Sequence, residues 1–287
     1  MKFVYHAAMT SDQGDSRTID QRSDWDELFG ANDLAPSRLG EAVIERLTQA
    51  IVDGRLRPGD ALPSEGQIAS SFGISKPIAR EALRELAAMG VLQVQQGKVS
   101  RVRAIDSGPL ARFFRFAVGR TEKGLHDAVE LRRMLEPPIA RLAARRRTPE
   151  DIAKLRAIVQ GMNDSVGDVP HWIEADLAFH RQMAAMAHNG LVALQMQGLE
   201  PLVRQMMERF NARGARTRAD WQATFDRHVR IEKAIASGEP AAAEKAMRAH
   251  FEAADEAIAE LVNAHNTRDS RSQKPIKQTG DKRHGKD

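Results

Sequence analysis

The chain has 287 residues, of which 42% are hydrophobic and 29% charged, with a net charge of +4. This is the composition of a soluble globular protein with room for two ordinary domains or one large one. It contains no cysteine, which excludes disulfides, thiolate metal sites and cysteine nucleophiles.

No apolar run approaches the roughly 20 residues that span a bilayer. Residues 1–20 lack the apolar core of a secretory signal, so the expected location is the cytoplasm. Charge is unevenly spread: residues 1–36 carry 3 Lys/Arg against 7 Asp/Glu, residues 37–103 carry 10 against 7, and residues 268–287 carry 7 against 3.

Residues 1–35 show no sustained periodicity and read as a flexible acidic arm. Pro36-Ser37 then starts a helix with Leu39, Val43, Ile44, Leu47 and Ile51 on its apolar face and Gly54 at its end. Arg57-Pro58-Gly59-Asp60 is a turn. Ser64 is a good N-cap for a short amphipathic run that ends at Phe72-Gly73, and Ser75 is placed to cap a second helix running to about Met89. Two helices joined by a few residues containing glycine are what a helix-turn-helix requires. In the second helix Ile78, Ala82 and Leu86 share one face, while Lys76, Arg80 and Arg84 share another. One stripe packs and the other faces a polyanion.

After Gly90, Leu92 and Val94 alternate with Gln93 and Gln95, Gln96-Gly97-Lys98 makes a turn, and Ser100 leads back to Arg103. That pattern is a two-stranded wing with a glycine at its tip, where backbone approaches a DNA groove. Either helix taken alone reads as an ordinary helical pair with solvated arginines. The ordered set over 36–103 reads as a winged helix-turn-helix DNA-binding domain of three helices plus a β-hairpin.

Ser107-Gly108-Pro109 and Gly119 mark 104–124 as a linker with one short helix. Residues 125–264 read as an all-α antiparallel bundle of six to seven helices, which makes the fold class mainly α. Pro137-Pro138 in the first of these should kink or split it, since prolines lack the donor and clash with the preceding turn. Thr148-Pro149-Glu150-Asp151 is a strong helix start. Further helices cover about 170–188, 191–212, 217–237 and 240–263, broken at Asn189-Gly190, Gly214 and Ser237–Pro240. Residues 265–287 read as a basic, disordered tail.

The helical region carries inward-facing histidines. Asp176 and His180 sit at i, i+4 on the stripe of Trp172, Met183 and Ala187. His228 falls among Trp221, Phe225, Ile231 and Ile235, and His250 among Ala243, Met247, Ala254 and Leu261. Taken singly, each reads as a satisfied core histidine. Together, three imidazoles and a carboxylate from three helices form a first shell for Zn²⁺, with Ni²⁺, Mn²⁺ or Fe²⁺ as other candidates. Arg132 lies at the edge of its helix's apolar stripe, placed either to meet a carboxylate or to pair with Glu136 at i, i+4.

Two sets of residues carry a family resemblance. Gly54–Gly59, Leu62-Pro63-Ser64-Glu65, Phe72-Gly73-Ile74-Ser75, Arg80-Glu81-Ala82-Leu83 and the wing 96–102 resemble the winged helix of the GntR superfamily of bacterial transcription regulators, FadR-like branch. Asp176–His180, His228–Ile235, Ala246–His250 and Glu130–Glu136 are similar to the metal-binding motifs of the FCD domain, the helical effector module of that branch. The resemblance implies a metal at Asp176, His180, His228 and His250, with a small carboxylate held there and by Arg132. Three positions depart from the family's pattern: Gly66 where an arginine is common, Pro77 where a small polar residue is, and Val99 where a second wing glycine is.

The expected function is that of a transcription regulator, read as a repressor, and not of an enzyme. It is expected to bind a pseudo-palindromic operator as a homodimer, through Ser75, Lys76, Arg80, Gln96, Gly97 and Lys98. Its effector is expected to be a small organic or sugar acid, bound in the dimerising domain 125–264. Two other readings of the same residues are a metal-dependent hydrolase or lyase using the Asp/His site and a metal-free binding module.

Overall fold

A computed structural model describes residues 36–94, 99–118, 121–213 and 216–253. The acidic arm, the wing tip Gln96, Gly97 and Lys98, the turn at Gly214 and the basic tail lie outside the described residues. The chain divides into two compact units, with the boundary between Ala117 and Val118.

In the first unit, helix α1 (Pro36–Val52), α2 (Glu65–Phe72) and α3 (Lys76–Ala88) precede strands β1 (Leu92–Gln93) and β2 (Arg101–Val102). Helix α3 packs against α1, α2 and β1. The caps follow local chemistry. Ser64 Oγ accepts from Gln67 N (3.3 Å) while Gln67 Oε1 accepts from Ser64 N (2.9 Å), a reciprocal capping box. Gly73 takes the left-handed conformation (φ 63°) that turns α2 toward α3.

Val43, Leu47, Leu56, Leu62, Ile68, Ala79, Leu83, Leu86, Leu92 and Val102 belong to the core of this unit. The inward face of α3 is Ala79, Ala82, Leu83 and Leu86, with Ile78 only partly buried. A strict i+4 stripe drifts around a helix of 3.6 residues per turn, so the packed face follows i+3 as well as i+4.

The hairpin is antiparallel, with Leu92 opposite Val102 and Gln93 opposite Arg101. Leu92 is buried, whereas Val94 is exposed, so the alternation expected across both residues holds only for the first. The segment after the Arg57–Asp60 turn also pairs with β2, through Gly59 N to Val102 O (2.9 Å) and Leu62 N to Ser100 O (2.8 Å). Helix α4 (Gly108–Val118) follows, tied back by Arg112 Nη2 to Ala88 O (3.2 Å). Gly90 (φ 83°) is required at the preceding turn, because a Cβ there would lie 2.6 Å from Pro109 Cγ.

The second unit contains α5 (Glu122–Arg146), α6 (Pro149–Asp164), α7 (Val169–Met186), α8 (Gly190–Arg213), α9 (Arg218–Ser237) and a helix α10 over 240–253. Helix α5 packs against α7, α8 and α9, and α7 against α6 and α8.

Of the kink or split expected at Pro137 and Pro138, the split does not occur: α5 runs through both. The carbonyls that lose a donor belong to Arg133 and Met134, both exposed residues on the side of the helix open to solvent. Thr148 caps α6 in a second capping box with Asp151. Trp172, Phe179, Met183, Met186, Leu155, Met162, Ile231 and Ile235 are among the residues packed in the core. No helix among the described residues is long and apolar enough to cross a membrane.

Candidate functional site

Ser75, Lys76 and Arg80 are all exposed at the start of α3. Ser75 occupies the N-cap with extended backbone, yet its hydroxyl makes no capping bond, which leaves it available to an external acceptor. Pro77 fits the first turn of α3 without loss, since an N–H there has no intrahelical acceptor.

Arg80 is held by Glu65 of α2 in a two-pronged contact, Nε to Oε2 at 3.0 Å and Nη2 to Oε2 at 2.8 Å. The hydrogen bonds from Arg80 hold the Glu65 carboxyl below its ordinary value despite slight opposition from burial. At Gly66 a Cβ would sit 3.2 Å from Lys76 Cε. The Lys76 side chain therefore covers the space that a larger residue at position 66 would claim. Arg84 pairs with Glu81 at 2.8 Å on the exposed surface.

In the second unit, α7, α9 and α10 bring His180, His228 and His250 together. Ring centroids are 5.6 Å apart for His180–His228, 5.3 Å for His180–His250 and 4.6 Å for His228–His250. One ligand atom from each lies within 4.8 Å of the others, and all three residues are buried. Asp176 joins them, with Oδ1 3.1 Å from His228 Nε2 and Oδ2 3.8 Å from His180 Nε2.

The tautomers follow from the partners. His228 Nδ1 donates to Thr224 O (2.9 Å), so Nε2 presents its lone pair inward. His180 Nδ1 donates to Glu136 Oε2 and likewise leaves Nε2 facing the centre. Glu136 Oε1 accepts from Arg132 Nε, which makes one fully buried carboxylate the link between the arginine and the imidazole.

These residues fit a divalent ion. His228 Nε2 and His250 Nδ1 are buried without a hydrogen-bond partner. His228 Nε2 approaches Asp176 Oδ1 closely but off the hydrogen-bonding direction, as expected of two donors aimed at a common point. Atoms held at ~2.0–2.1 Å from a tetrahedral ion lie roughly 3.3 Å apart, against 3.1 and 3.8 Å here.

Electrostatics agree. Burial, reinforced by His228 and His180, pushes His250 well below its ordinary value and keeps it neutral, the form that donates a lone pair. Burial alone would raise the carboxyls of Asp176 and Glu136. For Asp176 the facing His228 and His180 outweigh it, and for Glu136 the Arg132 guanidinium and the hydrogen bond from His180 do, so both stay ionised.

Arg132 is buried, and of the two geometries open to it in the sequence the structure shows the pair with Glu136 at i, i+4. Its Nε is spent on Glu136, while Nη2 is buried with no partner. Its guanidinium lies over Phe251, 5.7 Å from the ring centroid. Sequence reasoning missed that Glu136 reaches His180, although the i, i+4 spacing from Arg132 marks it.

A winged helix-turn-helix followed by a helical unit with a buried histidine–carboxylate centre defines a DNA-binding regulator with a sensing domain. Comparison with known proteins agrees. Residues 39–102 match the family of bacterial regulatory proteins, gntR family, and residues 127–253 match the FCD domain. The chain is 31% identical to the HTH-type transcriptional regulator LutR of Bacillus subtilis, over 70% of this chain and 92% of that protein. It is 30% identical to the Glc operon transcriptional activator of Escherichia coli, over 73% of this chain and 85% of the relative. With the HTH-type transcriptional repressor NanR of Klebsiella aerogenes it shares 29% identity, over 76% and 84% of the two chains. The solved structure of Streptococcus agalactiae GntR superposes with a TM-score of 0.60 at 26% identity, covering 75% of this chain and 98% of that one.

The chain therefore belongs to the GntR family and carries an FCD domain. It is a transcription regulator and not an enzyme, so the hydrolase or lyase reading falls.

Proposed function

We propose that the protein is a cytoplasmic, homodimeric repressor that releases a pseudo-palindromic operator when a small organic or sugar acid binds its FCD domain. Asp176, His180, His228 and His250 hold a divalent metal, Zn²⁺ in the first instance, and Arg132 receives the acid. When bound, the ion supplies a Lewis-acid anchor for a carboxylate oxygen. Arg132 Nη2 supplies the directional hydrogen bond, and Glu136 keeps both Arg132 and His180 aimed.

The observation that carries this reading is the pairing of unpartnered buried groups: two imidazole nitrogens and one guanidinium nitrogen around the same centre. Charge supports it. With neutral imidazoles, Asp176 and Glu136 against Arg132 leave one negative charge, which a divalent ion overcompensates by one. A single bound carboxylate restores neutrality in a buried site.

On the DNA side, Ser75, Lys76 and Arg80 of α3 enter the major groove, and Gln96, Gly97 and Lys98 of the wing take the adjacent minor groove. The acid acts by binding one arrangement of the FCD helices better than the other.

Metal analysis of the purified protein beside His228→Ala tests the centre. Stoichiometric metal lost in the variant is expected, and equal, negligible metal in both would leave a metal-free binding module. A gel-shift titration with hydroxy and sugar acids, with and without chelator, tests the release of DNA.

A further inference from the structure

Arg216 stands just before the N-cap of α9, beside the histidine centre but outside it. Its guanidinium stacks 4.2 Å from the Trp221 ring centroid and 5.9 Å from that of Trp172. Trp172 in turn meets His228 edge-on at 6.3 Å. Arg216 Nη2 donates to the Asp220 backbone carbonyl (3.0 Å) and to Thr224 Oγ1, and Thr224 is the residue whose carbonyl accepts from His228 Nδ1.

Among the described residues, no carboxylate lies within ion-pair distance of Arg216. Asp220 is turned away into its own capping box, accepting from Thr217 N and Oγ1 at 2.7 Å each. A second guanidinium, that of Arg227, donates to the same Thr224 hydroxyl at 2.9 Å. Burial and the neighbouring Arg227 charge both weaken Arg216's hold on its proton, and Asp176 of the histidine centre is one of only two acids that oppose them. A half-buried cation arranged in this way is stabilised by its tryptophans, yet no carboxylate among the described residues pairs with it.

We propose that Arg216 is a second anion anchor of the effector site and that the effector is accordingly a short dicarboxylic acid. One carboxylate takes the metal and Arg132, and the other reaches along Trp172 to Arg216. This rests on the effector reading given above. Arg216 has no ion-pair partner among the described residues, and a second carboxylate would supply one. The planar fork of Arg216, fixed on the indole face, is preorganised for such a group.

The test is calorimetric titration of the full-length, metal-loaded protein with the matched pairs succinate and butyrate, and glutarate and valerate. Wild type should prefer the diacid of a pair by roughly tenfold or more. Arg216→Met, which keeps the apolar stem on the tryptophans, should lose that preference while its monoacid affinity and metal content stay at wild-type values. Arg216→Lys should keep part of it.

The proposal is overturned if wild type shows no preference, or if Arg216→Met weakens mono- and diacid alike or neither. Monoacid binding that depends on metal and on Arg132, with no Arg216-dependent preference, overturns the second anchor alone. Failure of every acid to bind metal-loaded wild type, or binding indifferent to chelator and to Arg132→Lys, overturns the effector reading and this inference with it.

Discussion

His180 donates its Nδ1 proton to Glu136, a carboxylate with no exposure to solvent, and so turns its other nitrogen toward His228 and His250. A carboxylate behind a ligating imidazole fixes the ring and raises its basicity, and losing such a partner commonly weakens metal binding 10–100-fold, as an order of magnitude. Glu136→Gln should therefore bind metal about 10–100-fold more weakly, measured by competition with a chromophoric chelator. Glu136→Ala removes the acceptor that the buried Arg132 has among the described residues and should cost about 3–5 kcal/mol in unfolding free energy, visible as a fall in Tm.

Removing the metal should destabilise the FCD domain. Asp176 and three imidazoles are brought together by folding, so an ion bound there stabilises the native state by about 4 kcal/mol at a thousandfold excess over Kd. Adding EDTA should lower the Tm by several degrees, and returning Zn²⁺ should restore it. The His228→Ala variant should melt at the same temperature with and without chelator.

Arg132 separates stability from recognition. Arg132→Lys preserves a cation for Glu136, so its Tm should stay near that of wild type, but it lacks the planar fork that aims a second nitrogen at a ligand. Affinity for a carboxylate effector should fall about tenfold or more, read by calorimetry on the metal-loaded protein.

On the DNA-binding face the predicted contact is Arg80. Arg80→Ala should lose about 1–3 kcal/mol of operator affinity in a gel shift, and Arg84→Ala less, with a shallower dependence on salt. Glu65→Gln loosens the grip that positions Arg80, so the ratio of operator to non-specific affinity should fall even though a negative charge has been removed.

The pair also has a pH signature. The Arg80 hydrogen bonds depress the Glu65 carboxyl, so their contribution is present above its ordinary value and is lost as pH falls through the lowered one. An NMR titration should place the Glu65 midpoint below that of an ordinary glutamate. In Arg80→Ala the midpoint should return upward.

How much of this was legible in the chain follows from the range of each interaction. Helix starts at Ser64 and Thr148, the stop at Gly54, the inward stripes of His180, His228 and His250, and the glycine turn of the helix-turn-helix depend on residues a few positions apart. One-dimensional spacing reports them directly. The gntR-type and FCD motifs are likewise short strings.

Other features depend on packing between segments far apart in sequence. The continuation of α5 through two prolines puts the unpaired turn at the exposed residues Arg133 and Met134, a matter of which side of the helix the bundle leaves open. The reach of Glu136 across to His180 spans 44 residues, and the grip of Glu65 on Arg80 spans 15.

Spacing also left Arg132 with two alternatives, the Glu136 pair or a ligand, because it counts residues and not nitrogens. Only the folded bundle shows Nε committed and Nη2 left over. Arg216 belongs to no helix and has no period. Its hold on Trp221 and Thr224 is local to the start of α9, but Trp172 comes beside it only once α7 lies against α9, which is why the chain alone disclosed the inward histidines and not the cation next to them.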